Sequence, residues 1–322
     1  MEREGMVKRG SEADGIAAEA EEAPLALRTL ARRAFAQPVE EGPATLPEMP
    51  SVNSAPEPHP VRDSKLPAVP DLSGKPRLVL LIGPSAGKTT FARLVVSDLA
   101  EAGRLAGTLV CAADPGPRTL AKFLPKGGVN VPASTSDRDG AVFWRDVFAE
   151  VESPDRPALT LADCGAGNTT LLAHLAAAPD QFTRLEALGV SVAVLWFFTP
   201  RTDDLAVPRA WRERGLKPTA QATVLNLARA KDGWPSFEPL RAQPDYRAMQ
   251  SEGAGEVWFP ALEEAVALEV ERKAIPFSMA RDGKVPKGRD PKTAVDGDAA
   301  TAVSLWMPAA RDELAPIRTW LS

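Results

Sequence analysis

The chain has 322 residues, 44% of them apolar, which is ample for a core and suggests two domains or one large domain with tails. A net charge of −5 excludes a nucleic-acid binder driven by bulk charge, although local basic patches remain open. Cys111 and Cys164 both end apolar runs and are not spaced as ligands, so reduced, buried thiols in a cytoplasmic protein are expected. His59 and His174 are far apart and lack a third partner, which argues against a His-based metal site or catalytic triad.

The N-terminus, Met1-Glu2-Arg3-Glu4-Gly5, is charged with no apolar core after it, unlike a secretory signal. Residues 1–37 form an acidic, Ala-rich tail. Within it, Pro24 to Gln37 reads as a short helix, with Leu27, Leu30, Ala31, Ala34 and Phe35 roughly on one face and Arg28, Arg32 and Arg33 towards the other. Such a helix would dock a protein partner or DNA, or it would simply fray. Residues 38–76 hold ten prolines and read as a disordered linker.

From Arg77 the pattern alternates. Strand-like runs occur at 78–82, 107–112, 158–163, 190–198, 221–227 and 256–260, with helical stretches at about 88–102, 139–152, 168–178, 204–215 and 261–272. Apolar strands without clean alternation are expected where both faces of a parallel sheet are covered. The expected fold class is therefore α/β, with a doubly wound, mostly parallel sheet over residues 77–322 and a disordered N-terminal extension. The longest apolar run, Val190 to Phe198, is about half the ~20 residues needed to cross a bilayer. Stable membrane insertion is not expected.

The run Gly83-Pro84-Ser85-Ala86-Gly87-Lys88-Thr89-Thr90 follows the first strand and opens the first helix. Glycines let backbone N–H groups converge on an anion, and a helix N-terminus adds a positive dipole end. This is the order of a phosphate cradle of the P-loop type, with Gly83, Gly87, Lys88, Thr89 and Thr90 binding nucleotide. Lys88 would reach the phosphates and the Thr89 hydroxyl would ligate Mg²⁺. The glycines are spaced irregularly, for Ile82 stands where the first is expected and Gly83 follows it. An ordinary Gly/Pro turn is the bland alternative, but it needs no Gly-Lys-Thr-Thr.

In this fold, ligands bind outside the carboxyl ends of the strands. The second strand leads to Ala113-Asp114-Pro115-Gly116-Pro117, the third closes with Asp163 before Cys164-Gly165-Ala166-Gly167, and the fifth ends at Asn226. Asp114 would face the γ-phosphate side, Asp163 would be the second Mg²⁺ anchor, and Asn226 could offer a donor and an acceptor to a nucleobase edge. Each has a plainer reading as turn opener, helix cap or turn residue. It is their order behind one Gly-Lys-Thr-Thr loop that argues for a site.

Together these residues resemble the ParA/MinD family of P-loop ATPases, whose phosphate loop is deviant. Asp114-Pro115 stands at the family's Asp-x-Asp-Pro-Gln segment, Asp163 at its Mg²⁺-side Asp and Asn226 at its base-contacting Asn. Trp258-Phe259-Pro260, then a helix, then Ala274-Ile275-Pro276-Phe277, follows the family's last strand and Pro-containing loop. The resemblance implies ATP with Mg²⁺, slow hydrolysis with Lys88 and Asp114 as catalytic residues, an ATP-dependent homodimer, and roles such as plasmid partition or cargo positioning. This sequence departs from the pattern at Gly83, where the family's cross-dimer lysine stands, at Ala112, where its first Asp stands, and at Gly116, where its Gln stands.

For DNA the sequence offers two basic stretches. Arg209, Arg212, Arg214 and Lys217 lie in residues 209–217, and residues 281–292 carry five bases against two acids. Rival readings are a P-loop kinase of a small molecule, with Asp114 as base and 281–292 as lid, and a nucleotide-binding adaptor that does not hydrolyse.

Overall fold

The computed structural model describes residues 68–84, 87–113, 120–124, 128–165 and 169–322. The acidic tail, the helix expected at Pro24–Gln37 and the linker up to residue 67 lie outside these residues. So do Ser85, Ala86 and Asp114.

Six strands form one sheet: β1 Arg77–Ile82, β2 Thr108–Ala112, β3 Leu159–Asp163, β4 Ser191–Phe198, β5 Ala220–Asn226 and β6 Gly255–Phe259. All five pairings are parallel, in the order β2-β3-β1-β4-β5-β6. The strands are buried almost throughout, yet alternate residues serve different layers. Val79 and Leu81 of β1 join one apolar cluster, whereas Leu78, Leu80 and Ile82 join the other. The first cluster takes in helices α1 Lys88–Glu101, α8 Glu264–Arg272, α9 Phe277–Arg281, α10 Gly297–Glu313 and α11 Arg318–Leu321. The second takes in α2 Asp137–Glu152, α3 Thr169–Ala177, α4 Gln181–Ala187, α5 Ala206–Glu213, α6 Glu238–Arg241 and α7 Pro244–Ser251. This is the division that right-handed crossovers produce. The chain leaves β1 towards β2 by way of α1 on one face, and every later step across the sheet runs in the opposite direction over the other face. The adjacent strands β1 and β3 thus send their continuations to opposite faces. That makes their carboxyl ends the switch point where this fold places ligands.

The six strands fall within a residue or two of their sequence-based positions. Helices α4, α6, α7, α9 and α10 were not among those expected. Near the N-terminal ends of the strands, a segment expected to be linker packs on the domain. Leu72 is buried at 2% exposure, its N–H donates to the Thr319 hydroxyl at 3.3 Å, and the carbonyl of Pro70 accepts from the Trp320 indole at 2.8 Å. Arg77 is buried with them and donates to the carbonyls of Trp320 (3.0 Å) and Lys75 (2.8 Å). Residues 69–76 form a strap locked under the last helix. On the α1 face, Arg93 is also buried. Its guanidinium lies over the rings of Phe123 (3.5 Å) and Phe277 (4.5 Å), and burial lowers its pKa to about 9 against the opposing pull of Glu271.

Candidate functional site

Strand parity decides what meets the first turn of α1. In β3, Leu159 and Leu161 belong to the α1 side and Ala162 to the other, so Asp163 faces α1 and Cys164 faces away. A slip of one residue would exchange them. Asp163 pairs in register with Ala112 and Leu81, at the end of its strand. There its Oδ2 accepts the Thr89 hydroxyl at 2.6 Å, and the side chain is almost wholly buried. A hydroxyl and a carboxylate in contact at the mouth of a sheet are two hard oxygen donors of the kind Mg²⁺ takes.

The turn itself is held by two glycines. Gly83 has φ 144°, and a Cβ there would stand 2.2 Å from the carbonyl oxygen of Phe197 in β4. Gly87 has φ 86°, and a Cβ would stand 2.4 Å from the amide nitrogen of Asn226. No other residue fits either place without moving its neighbours. The backbone therefore folds closely over the ends of β4 and β5, a cradle that side chains would fill. Helix α1 begins at once, with Phe91 N–H donating to the Gly87 carbonyl at 3.0 Å. It has no side-chain cap and no acidic residue in its first turn. Its first N–H groups and positive end are thus available to an anion.

Lys88 is buried, and its ammonium donates to the carbonyls of Gly83 and Pro84, each at 2.7 Å. It curls back over the turn rather than out into solvent, so its charge sits inside the loop. Asn226 is buried at the end of β5, against Gly87, where its Oδ1 accepts from the Ala228 N–H at 3.1 Å. Its amide nitrogen lies on the loop side. Thr90 is half-buried in the first turn. The structure thus brings together Gly83, Gly87, Lys88, Thr89, Asp163 and Asn226. Asp114 is outside the described residues.

One neighbour of the loop carried no recognisable sequence signal, and another is one of the two buried thiols that the sequence led us to expect. The Phe197 carbonyl lies inside the longest apolar run, and backbone contacts leave no trace in composition. Cys164 follows Asp163, and its thiol pKa is pushed well up, first by burial and then by the Asp163 charge, with Lys88 pulling the other way. Burial likewise raises that of Cys111. Neither is a thiolate nucleophile at neutral pH.

Several bases of the two basic stretches have partners within the domain. Arg209 pairs with Asp245, and Arg212 bridges Asp245 and Glu252 at 3.5 and 3.0 Å. Arg281 pairs with Glu101 and Asp282, and Lys284 with Asp282. Arg289 is turned onto the Lys273 and Ala274 carbonyls. Lys217, Lys287 and Lys292 are exposed and have no ion-pair partner among the described residues. Among the described residues no helix is long and apolar enough to cross a membrane. Leu314, Ile317, Trp320 and Leu321, helically spaced at the C-terminus, are all buried in the domain.

No protein-family model and no curated protein matches the chain. Among solved structures it is similar to the MinC:MinD cell division protein complex of Aquifex aeolicus, at 12% identity over 73% of this chain and 95% of that one, with a TM-score of 0.41. It is also similar to the septum site-determining protein MinD of Pyrococcus horikoshii, solved with Mg-ADP, at 16% identity over 75% and 98% with a TM-score of 0.39. A third likeness is to FtsY of Mycoplasma mycoides, at 14% identity over 58% and 60% with a TM-score of 0.37. What the site does is read from its own residues.

Proposed function

We propose that the chain binds ATP with Mg²⁺ in the loop from Gly83 to Thr90. On this reading it is a slow, cytoplasmic ATPase of ParA/MinD type that dimerises with ATP and positions or partitions a cargo such as plasmid DNA. One observation carries the nucleotide reading. The Thr89 hydroxyl meets the Asp163 carboxylate at 2.6 Å, beside a turn whose two glycines leave no room for a side chain. Lys88, with three donors on a charge already inside the loop, would hold phosphate oxygens in place of the carbonyls it now serves. Thr89 and Asp163 would hold Mg²⁺, which when bound neutralises phosphate charge. Asn226, against the same turn, would meet the base, and Asp114 would orient the attacking water. The α1 terminus and the buried floor would exclude bulk water from one side of the phosphates. With Gly83 where the resembled family carries its cross-dimer lysine, turnover is expected well below the ~1–100 s⁻¹ of kinases. The same Gly83 favours, as a second reading, an adaptor that binds without hydrolysis.

The test is light scattering of Asp114→Ala with ATP and with ADP, beside phosphate release by the unaltered chain. A dimer with ATP alone and slow wild-type release would support the reading. A monomer in both nucleotides without release would replace it with the kinase if an acceptor is phosphorylated, and with the adaptor if none is.

A further inference from the structure

Helices α8 and α10 lie against each other in the layer that covers one face of the sheet. They run antiparallel. The Asp296 N–H, just ahead of α10, donates to the Glu269 carboxylate of α8 at 3.1 Å, and the Trp306 indole of α10 donates to the Pro260 carbonyl, ahead of α8, at 3.0 Å. Val266, Val270 and Val303 turn inwards and are buried. The outer surface is unlike that. Leu268 is 59% exposed and Leu305 71% exposed, the most exposed large apolar side chains among the described residues. The two hydrogen bonds set them roughly two helical turns apart along the pair. Helical spacing puts Glu264 and Glu271 beside Leu268, and Asp298 and Asp312 in line with Leu305. All four acids are exposed, and none has an ion-pair partner among the described residues. Glu271 favours the charge of the buried Arg93 but does not pair with it. The other charges here are spoken for, since Lys273 pairs with Glu269, and Arg311 with Asp98 and Glu101. Arg272 is the one exposed base on either helix. A single exposed leucine is ordinary, but two on adjoining helices, among acids in excess, mark a contact surface.

We infer that this face docks a basic amphipathic helix of a partner protein. Its leucines, two turns apart, would cover Leu268 and Leu305, and its lysines and arginines would meet Glu264, Glu271, Asp298 and Asp312. The same excess of acid repels nucleic acid and anionic lipid. A second copy meeting this face with its own would set like charges together. The chain's own residues 1–67 carry twelve acids against eight bases, so charge does not draw them here either. None of the face belongs to the turn from Gly83 to Thr90, and the inference stands apart from the nucleotide reading.

The experiment pans a display library of 16-residue peptides on the full chain, with counter-selection on Leu268→Ser/Leu305→Ser, so that only binders of this face survive. Both leucines are exposed, and the melting midpoint of that variant should stay within a few degrees of wild type. If it does not, Leu268→Ala/Leu305→Ala serves instead. Survivors, remade as synthetic peptides for fluorescence anisotropy, should be basic with leucines at helical spacing. Their affinity should fall at least tenfold for Glu264→Lys/Asp298→Lys and should weaken as salt is raised. Acidic or leucine-free survivors, binding indifferent to that variant, or no survivors at all would overturn the inference. So would a synthetic peptide of residues 24–37 that binds as tightly as the best survivor, for the face would then belong to the chain's own extension.

Discussion

The two ends of the sheet are built on different terms. At the carboxyl ends of β1, β3, β4 and β5 the chain comes together through glycines, a lysine folded onto carbonyls and a hydroxyl–carboxylate contact, with polar groups buried close together. At the amino ends it comes together through Leu72, Trp320, Ile317 and the aliphatic part of Arg77, closed by backbone carbonyls. The first arrangement costs stability and holds a shape that an anion would complete. The second is ordinary apolar packing that ties the beginning of the domain to its end. Substitutions of the polar side chains at the first pole should therefore damage binding, whereas substitutions at the second should damage the fold.

The largest effect on stability is expected at the apolar pole. Removing residues 1–67 should leave the melting midpoint within a few degrees of wild type. Removing residues 1–76 also takes away Leu72 and the acceptor of the Trp320 indole, at a cost of about 4 kcal/mol. In a domain of this size that lowers the midpoint by roughly 10 °C. Equal midpoints by calorimetry would show that the strap contributes nothing. At the polar pole, Gly83→Ala forces a Cβ onto the Phe197 carbonyl at an unfavourable φ and should cost about 3 kcal/mol. Chemical denaturation showing no loss would mean that the loop does not lie on β4.

The sheet was legible because six apolar runs with β-rich composition are a strong local signal, and the helices between them had to cross over. The turn from Gly83 to Thr90 was legible because the chemistry proposed for it needs adjacent residues. What escaped had identifiable causes. α10 carries Pro308 inside it and many small residues, so its periodicity is diluted, yet tertiary packing of Val303, Trp306 and Met307 sustains it. α7 begins at Pro244 and is only eight residues long, too short for its two buried positions, Tyr246 and Met249, to declare a face. The strap was read as linker because Pro70 and Pro76 matched the proline-rich composition before it, whereas its anchor is Trp320, some 250 residues away. Long-range packing of this kind leaves no local pattern. The ion pairs of the basic stretches were hidden for the same reason, since Asp245, Glu252 and Glu101 are distant in sequence from the arginines they pair with.

A smaller effect sits between the poles. His174 of α3 stacks on Phe148 of α2 with ring centroids 4.8 Å apart, its Nε2 is buried without a hydrogen-bond partner, and burial lowers its pKa below 6.5. Gln181 and Glu152 pull that value up and Arg184 pushes it down. A histidine whose pKa is lower in the folded state than in the unfolded one destabilises the fold once the unfolded chain begins to protonate. Stability should thus be complete above about pH 6.5 and decline as the pH falls through the folded-state value. His174→Phe should flatten that part of the midpoint-versus-pH curve. A curve unchanged by the substitution would assign the acid sensitivity to other groups.

The central claim is that the polar pole holds a nucleotide by its phosphates and metal. Calorimetric titration of ATP into the full chain, with and without Mg²⁺, addresses it directly when repeated for Lys88→Ala and Thr89→Val. Lys88→Ala removes a charge-assisted contact worth about 1.5–3 kcal/mol, so affinity should fall roughly 10- to 100-fold. Thr89→Val should abolish the gain that Mg²⁺ gives the wild type. ATP that fails to bind the unaltered chain, or binds Lys88→Ala as tightly as wild type, would contradict the account.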